Sequence, residues 1–122
     1  MNWFETLPDK CPPSDAVTTE NVKVYRAVLT SPATDEDFKS HRELFPTKFF
    51  SVSECQARSL SVHDNMAETE KLKKLPRFKN NFFIMELNLK AEDGLILKTN
   101  GPNHYSWWRS TEFDYSEREI IA

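Results

Sequence analysis

The segment Asn100-Gly101-Pro102-Asn103-His104-Tyr105-Ser106-Trp107-Trp108-Arg109 concentrates the side chains best suited to holding a ligand. Tyrosine and tryptophan offer broad stacking surfaces at low entropic cost, while His104 and Arg109 can address phosphate or carboxylate. The plain alternative is that one tryptophan fills the core and the other covers a sheet edge. Neighbouring residues on a strand point opposite ways, so both accounts can hold together. The three histidines, His41, His63 and His104, have no metal-ligand spacing among themselves or with Cys11 and Cys55, and no metal is expected. One serine or cysteine near one histidine arises by chance in a short chain, so no nucleophilic triad is indicated. His41-Arg42-Glu43 reads as solvated charge on a polar helix face. The two glycines, Gly94 and Gly101, are too few and too isolated for a glycine-rich phosphate loop or a Rossmann fingerprint.

These groups have to be positioned by a single hydrophobic core, since 122 residues suit one α+β domain spanning positions 1–122. Nine Phe, three Trp and three Tyr give that core enough large apolar side chains to offset backbone ordering. A net charge of -3 argues against coating nucleic acid non-specifically, which depends on neutralising phosphates. The one concentrated basic stretch is Lys71, Lys73, Lys74, Arg77 and Lys79. The first residues show no basic segment followed by an apolar run, and no stretch is apolar for long enough to cross a bilayer. The expected address is therefore the cytoplasm, with no membrane partner. Cys11 and Cys55 have neither the density of a disulfide scaffold nor zinc spacing, and are expected as reduced thiols.

Pro8, Pro12 and Pro13 make residues 1–20 an opening helical turn followed by an extended arm that docks through Trp3 and Phe4. Val22 to Leu29 alternates as a strand, with Val22, Val24, Arg26 and Val28 on one face. Thr34 is placed to cap a helix that stops before Pro46, and Ser53 a second short one through Ala57. Ser59 to Val62 reads as a half-buried strand, and Asn65 with Glu68 as the capping pair of a helix leading to Pro76. Phe82 to Leu89 is the strongest strand pattern, with Phe83, Met85, Leu87 and Leu89 on one face. A turn at Glu92-Asp93-Gly94 precedes a strand over Leu95 to Leu97. Thr99 to Arg109 reads as a loop, and Thr111 to Tyr115 as the final strand. The order is not a regular βαβ alternation, which favours a mixed or largely antiparallel sheet, split in one arrangement, flanked by two or three short helices.

In that arrangement Arg26 lies in an early strand, Ser59 and Ser61 flank Leu60 in a central one, and Glu112 lies in a late one. The set resembles the ADP-ribosyltransferase superfamily of the Arg, Ser-x-Ser, Glu type, whose members are small split-sheet α+β domains. The resemblance implies that NAD is the substrate, cleaved at the nicotinamide ribose through an oxocarbenium-like centre. Glu112 would then stabilise the developing charge, Arg26 would grip phosphate or ribose, and Ser59 and Ser61 would brace the site. Tyr105 or Trp107 would stack on nicotinamide, with His104 beside them as a further binding group. Two departures from the pattern stand out: Leu60 replaces a small polar residue, and Ser110 stands where an acid or glutamine would precede Glu112 by two positions.

The functional expectation is thus a small NAD-using transferase or glycohydrolase, of the toxin or effector type acting inside a bacterial cell. A second reading is a non-catalytic protein-binding module, an inhibitor or accessory subunit, meeting a protein partner through Asn100 to Arg109. A third is RNA binding or cleavage through Lys71 to Lys79 and the aromatic loop. The plain alternative pairs Arg26 with Glu112 as an ion pair across the sheet and leaves Ser59 and Ser61 on a solvent face.

Overall fold

A computed structural model describes residues 1–79 and 81–122. The strands are β1 (Val17–Thr18), β2 (Val22–Val28), β3 (Leu60–His63), β4 (Phe83–Leu89), β5 (Gly94–Lys98), β6 (His104–Arg109) and β7 (Glu119–Ile120). They form one seven-stranded antiparallel sheet in the order β1-β5-β6-β3-β2-β4-β7. Three short helices flank it, α1 (His41–Leu44), α2 (Glu54–Ala57) and α3 (Met66–Glu70), together with 3-10 turns at Asp35–Phe38, Lys71–Lys74 and Pro76–Phe78. This is the α+β architecture expected from the strand and helix order.

The ladders differ in length, and the difference shapes the molecule. β2 and β4 pair along their whole length, from Val22 opposite Leu89 to Val28 opposite Phe83. β3 and β6 pair from Leu60 opposite Trp107 to His63 opposite His104. Between these two ribbons, β2 and β3 pair only at Tyr25 and His63. The sheet is therefore split into halves joined at one residue pair. Val24, Val28, Leu60, Val62, Met85, Leu87 and Trp107 bury one face against Phe38 and Phe113. Arg26 alternates with Val24 and Val28, so it starts from the core-facing side.

Several local expectations are corrected. The helix from Thr34 to Pro46 is broken at Lys39 and Ser40, because the Glu5 carboxylate takes the Ser40 N–H at 2.8 Å and its hydroxyl at 2.6 Å. Ser40 then caps α1, accepting the Glu43 N–H. Ser53 and Asn65 do cap α2 and α3. No strand runs over Thr111 to Tyr115: Ser110 Oγ accepts the Glu112 N–H at 3.2 Å and closes a turn, Phe113 drops into the core, and the last strand is β7. Half of the presumed loop from Thr99 to Arg109 is strand β6. The opening residues form no helix but do dock, with Trp3 bridged to Ser110 and the Phe4 ring 3.7 Å from the Arg109 guanidinium carbon.

Cys11 and Cys55 are not free thiols; they form a disulfide tying the arm to α2, with Cα atoms 5.6 Å apart. Their 44-residue separation hides a proximity that exists only once the arm has docked. Disulfides are uncommon in reducing compartments, which counts against the cytoplasmic address expected from the sequence. Among the described residues no helix is long and apolar enough to cross a membrane.

Candidate functional site

Past the Tyr25 and His63 pair, β2 and β3 diverge and leave backbone groups without a ladder partner. Arg26 fills the gap: its Nη1 donates to the Ser61 carbonyl at 2.7 Å and its Nε to the Asp37 carbonyl at 2.9 Å. The bridge ties β2 to β3 through the exposed Ser61 carbonyl and satisfies the part-buried Asp37 carbonyl, an acceptor costly to leave unpaired. Burial, and next the nearby Arg77, lower the Arg26 pKa to about 10, which keeps it cationic at neutral pH.

A cleft of about 490 Å³ opens beside this bridge, lined by Arg26 and Ala27 from one half of the sheet and Ser59, Ser61 and His63 from the other. That volume is typical of small-molecule sites, which run from about 300 to 1,000 Å³. Arg77 closes one wall, its guanidinium carbon 5.5 Å from the Phe78 ring centre, and Lys48 lies 5.8 Å from the Phe50 ring. His41 stacks on Phe50 at 6.0 Å, and its pKa is lowered by burial and then by Arg77, Arg26 and Lys48. Among the described residues, none of Arg26, Arg77 and Lys48 has a carboxylate at ion-pair distance. Asp37 is the one carboxylate in the lining, and it already accepts the N–H groups of Leu29 and Thr34 and the Thr30 hydroxyl. Cations without an ion-pair partner facing a concave space, moderated by the nearby Asp37, give the cleft a positive character.

Of the residues singled out in the sequence, Arg26, Ser59, Ser61 and His104 come together here. Glu112 does not: it is exposed on the turn beyond β6, and Arg26 is not paired with it. Tyr105 packs on the core, outside the cleft lining. Trp107 is 0% exposed, its indole N–H donating to the Asp93 carbonyl, and Trp108 is 2% exposed and donates to the Cys55 carbonyl. Arg109 is buried against Phe4 and Phe38. The aromatic segment is therefore a core strand, and its tryptophans offer a partner no surface. Lys48, Arg77, His41 and Phe50 were not singled out for the site. Arg77 carried a signal in its setting, since Leu72, Leu75 and Phe78 around it are apolar and line the same wall.

No family model matches the chain. No curated protein and no solved structure matches it either. The functional reading rests on the chemistry of the cleft. Among the described residues there is no cluster of three or more His, Cys, Asp or Glu side chains suited to a metal ion.

Proposed function

We propose that the cleft binds a phosphate-bridged nucleotide of the NAD type, and that the domain acts on it as an ADP-ribosyltransferase-like or NAD-glycohydrolase protein. The observation that carries this reading is the convergence of Arg26, Arg77 and Lys48, cations without carboxylate partners, on a space also lined by Ser59, Ser61 and the Phe50 ring. The cations suit a pyrophosphate, the hydroxyls a ribose, and Phe50 with His41 a flat heterocycle. Glu112 is given no part in the reaction, because it does not line the cleft.

Isothermal titration with NAD and with ADP-ribose tests the reading. Saturable binding is expected, weakened about tenfold or more by Arg77→Ala, the scale of one lost charge-assisted contact. Absence of binding by the unaltered protein overturns it. A second reading, a phosphate carried on single-stranded RNA, is favoured by exposed Lys73, Lys74 and Lys79 on the segment that carries Arg77. Oligonucleotide binding that weakens steeply with salt, together with no response to NAD, would select it instead.

A further inference from the structure

The cleft continues into a second compartment of about 180 Å³, which shares His41, Phe50, Ser59, Ser61 and His104 with the first. Among the described residues its lining includes Gln56, Asn100 and Ser106 but no Lys, Arg, Asp or Glu. A charged group entering it would shed water without an opposite charge in return, whereas a neutral hydroxyl finds donors and acceptors of its own kind.

His104 is built into this compartment as an oriented base. Its Nδ1 lies 3.0 Å from the Thr99 carbonyl oxygen and 3.1 Å from Thr99 Oγ1, which in turn is 2.8 Å from Ser106 Oγ. A carbonyl oxygen only accepts, so Nδ1 carries the hydrogen and Nε2 keeps its lone pair. Nε2 has no hydrogen-bond partner among the described residues and is not sealed from solvent. Burial lowers the His104 pKa, against a smaller raising effect from the Thr99 carbonyl, so the ring is neutral near pH 7. The titratable groups facing it are His63, directly opposite on β3 with ring centres 5.3 Å apart, and His41 of α1 across the compartment. Asp64 follows His63 and is held by the Asn103 amide; Arg26 meets the Ser61 carbonyl and Lys48 the Phe50 ring, residues shared by the two compartments, and both cations together with Arg77 act on His41.

We propose that this uncharged compartment is the acceptor site of the reaction, taking water or a neutral hydroxyl-bearing group, and that His104 Nε2 receives the acceptor's proton. The assignment rests on the NAD reading above. The bond between ribose C1′ and the nicotinamide nitrogen breaks, its electron pair neutralising the pyridinium as nicotinamide departs. The acceptor oxygen bonds to C1′, and its proton moves to Nε2 and then to solvent. Every charge is accounted for without an oxidant or reductant.

The test combines titration of NAD with nicotinamide release, using glycerol as the added acceptor, from about pH 5 to about pH 9. His104→Gln is expected to bind NAD within about twofold of the unaltered protein while releasing nicotinamide about a hundredfold more slowly. The unaltered protein is expected to lose activity on an acid limb below the ordinary histidine value of 6.5, a limb that the variant lacks. Should that variant fail to fold, His104→Asn takes its place in the same two measurements. Binding without release, or release that shows no acid limb or ignores the substitution, overturns the assignment and leaves NAD binding standing. No binding by the unaltered protein overturns both.

Discussion

Arg26 serves two ends with one guanidinium. Two of its five N–H donors are committed to the Asp37 and Ser61 carbonyls, and the rest are what a ligand can use. The same economy appears in the histidines. Burial lowers the pKa of His41, His63 and His104, so the folded chain holds them neutral while the unfolded chain, at ordinary values near 6.5, takes up protons first. Their stabilising effect is complete above that value and is lost as pH falls through and below it. The melting temperature is expected to drop between about pH 7.5 and pH 5, and His63→Gln to flatten that drop. A melting temperature that rises on acidification would refute the assignment. At this scale Arg26, Ser59 and Ser61 were grouped through the resemblance, but with Glu112, which the fold leaves outside the cleft, and His104 was read only as part of an aromatic loop that is in fact strand. Lys48 and Arg77 were not singled out, since charge on a short turn looks the same whether it faces water or a cleft.

Among the elements, β4 and β2 were readable from alternation alone, because apolar side chains at every second position leave a strand one way to face the core. β6 was misread for a physical reason. His104, Ser106 and Trp108 alternate with Tyr105, Trp107 and Arg109, but both sets mix polar and aromatic character, so the period of two is invisible until the partners on β3 and β5 are known. Gly94 shows how tightly that pairing is made. It sits at φ +141°, and a Cβ added there would meet the Trp108 carbonyl oxygen at 2.1 Å. Gly94→Ala should therefore cost about 3 kcal/mol from backbone strain and overpacking. The expected reading is a lower urea midpoint with an unchanged slope, and a midpoint equal to that of the unaltered protein would contradict it.

For the molecule as a whole, the arm is the least legible part and among the most consequential. Its Cys11 closes a 44-residue separation onto Cys55, and its Glu5 holds Ser40, a residue of the cleft wall. In the chain-entropy account a closure of that length stabilises by about 4 kcal/mol. Cys55→Ser is expected to lose a similar amount in urea titration and to become insensitive to added reductant; an unaltered protein that ignores reductant would exclude a stabilising role for the bridge. The single pairing of Tyr25 with His63 has a consequence of its own. A β-sheet is ordinarily stiff because each strand is laced to the next along its length, and here the lacing stops after one stitch. The join between the two ribbons thus has the fewest paired residues of any in the sheet, with the Arg26 bridge to the Ser61 carbonyl as a side-chain tie, and the cleft lies along it. A molecule gripping Arg26 on one ribbon and the Ser61 hydroxyl on the other would add a second tie beside the one that Arg26 already makes to the Ser61 carbonyl.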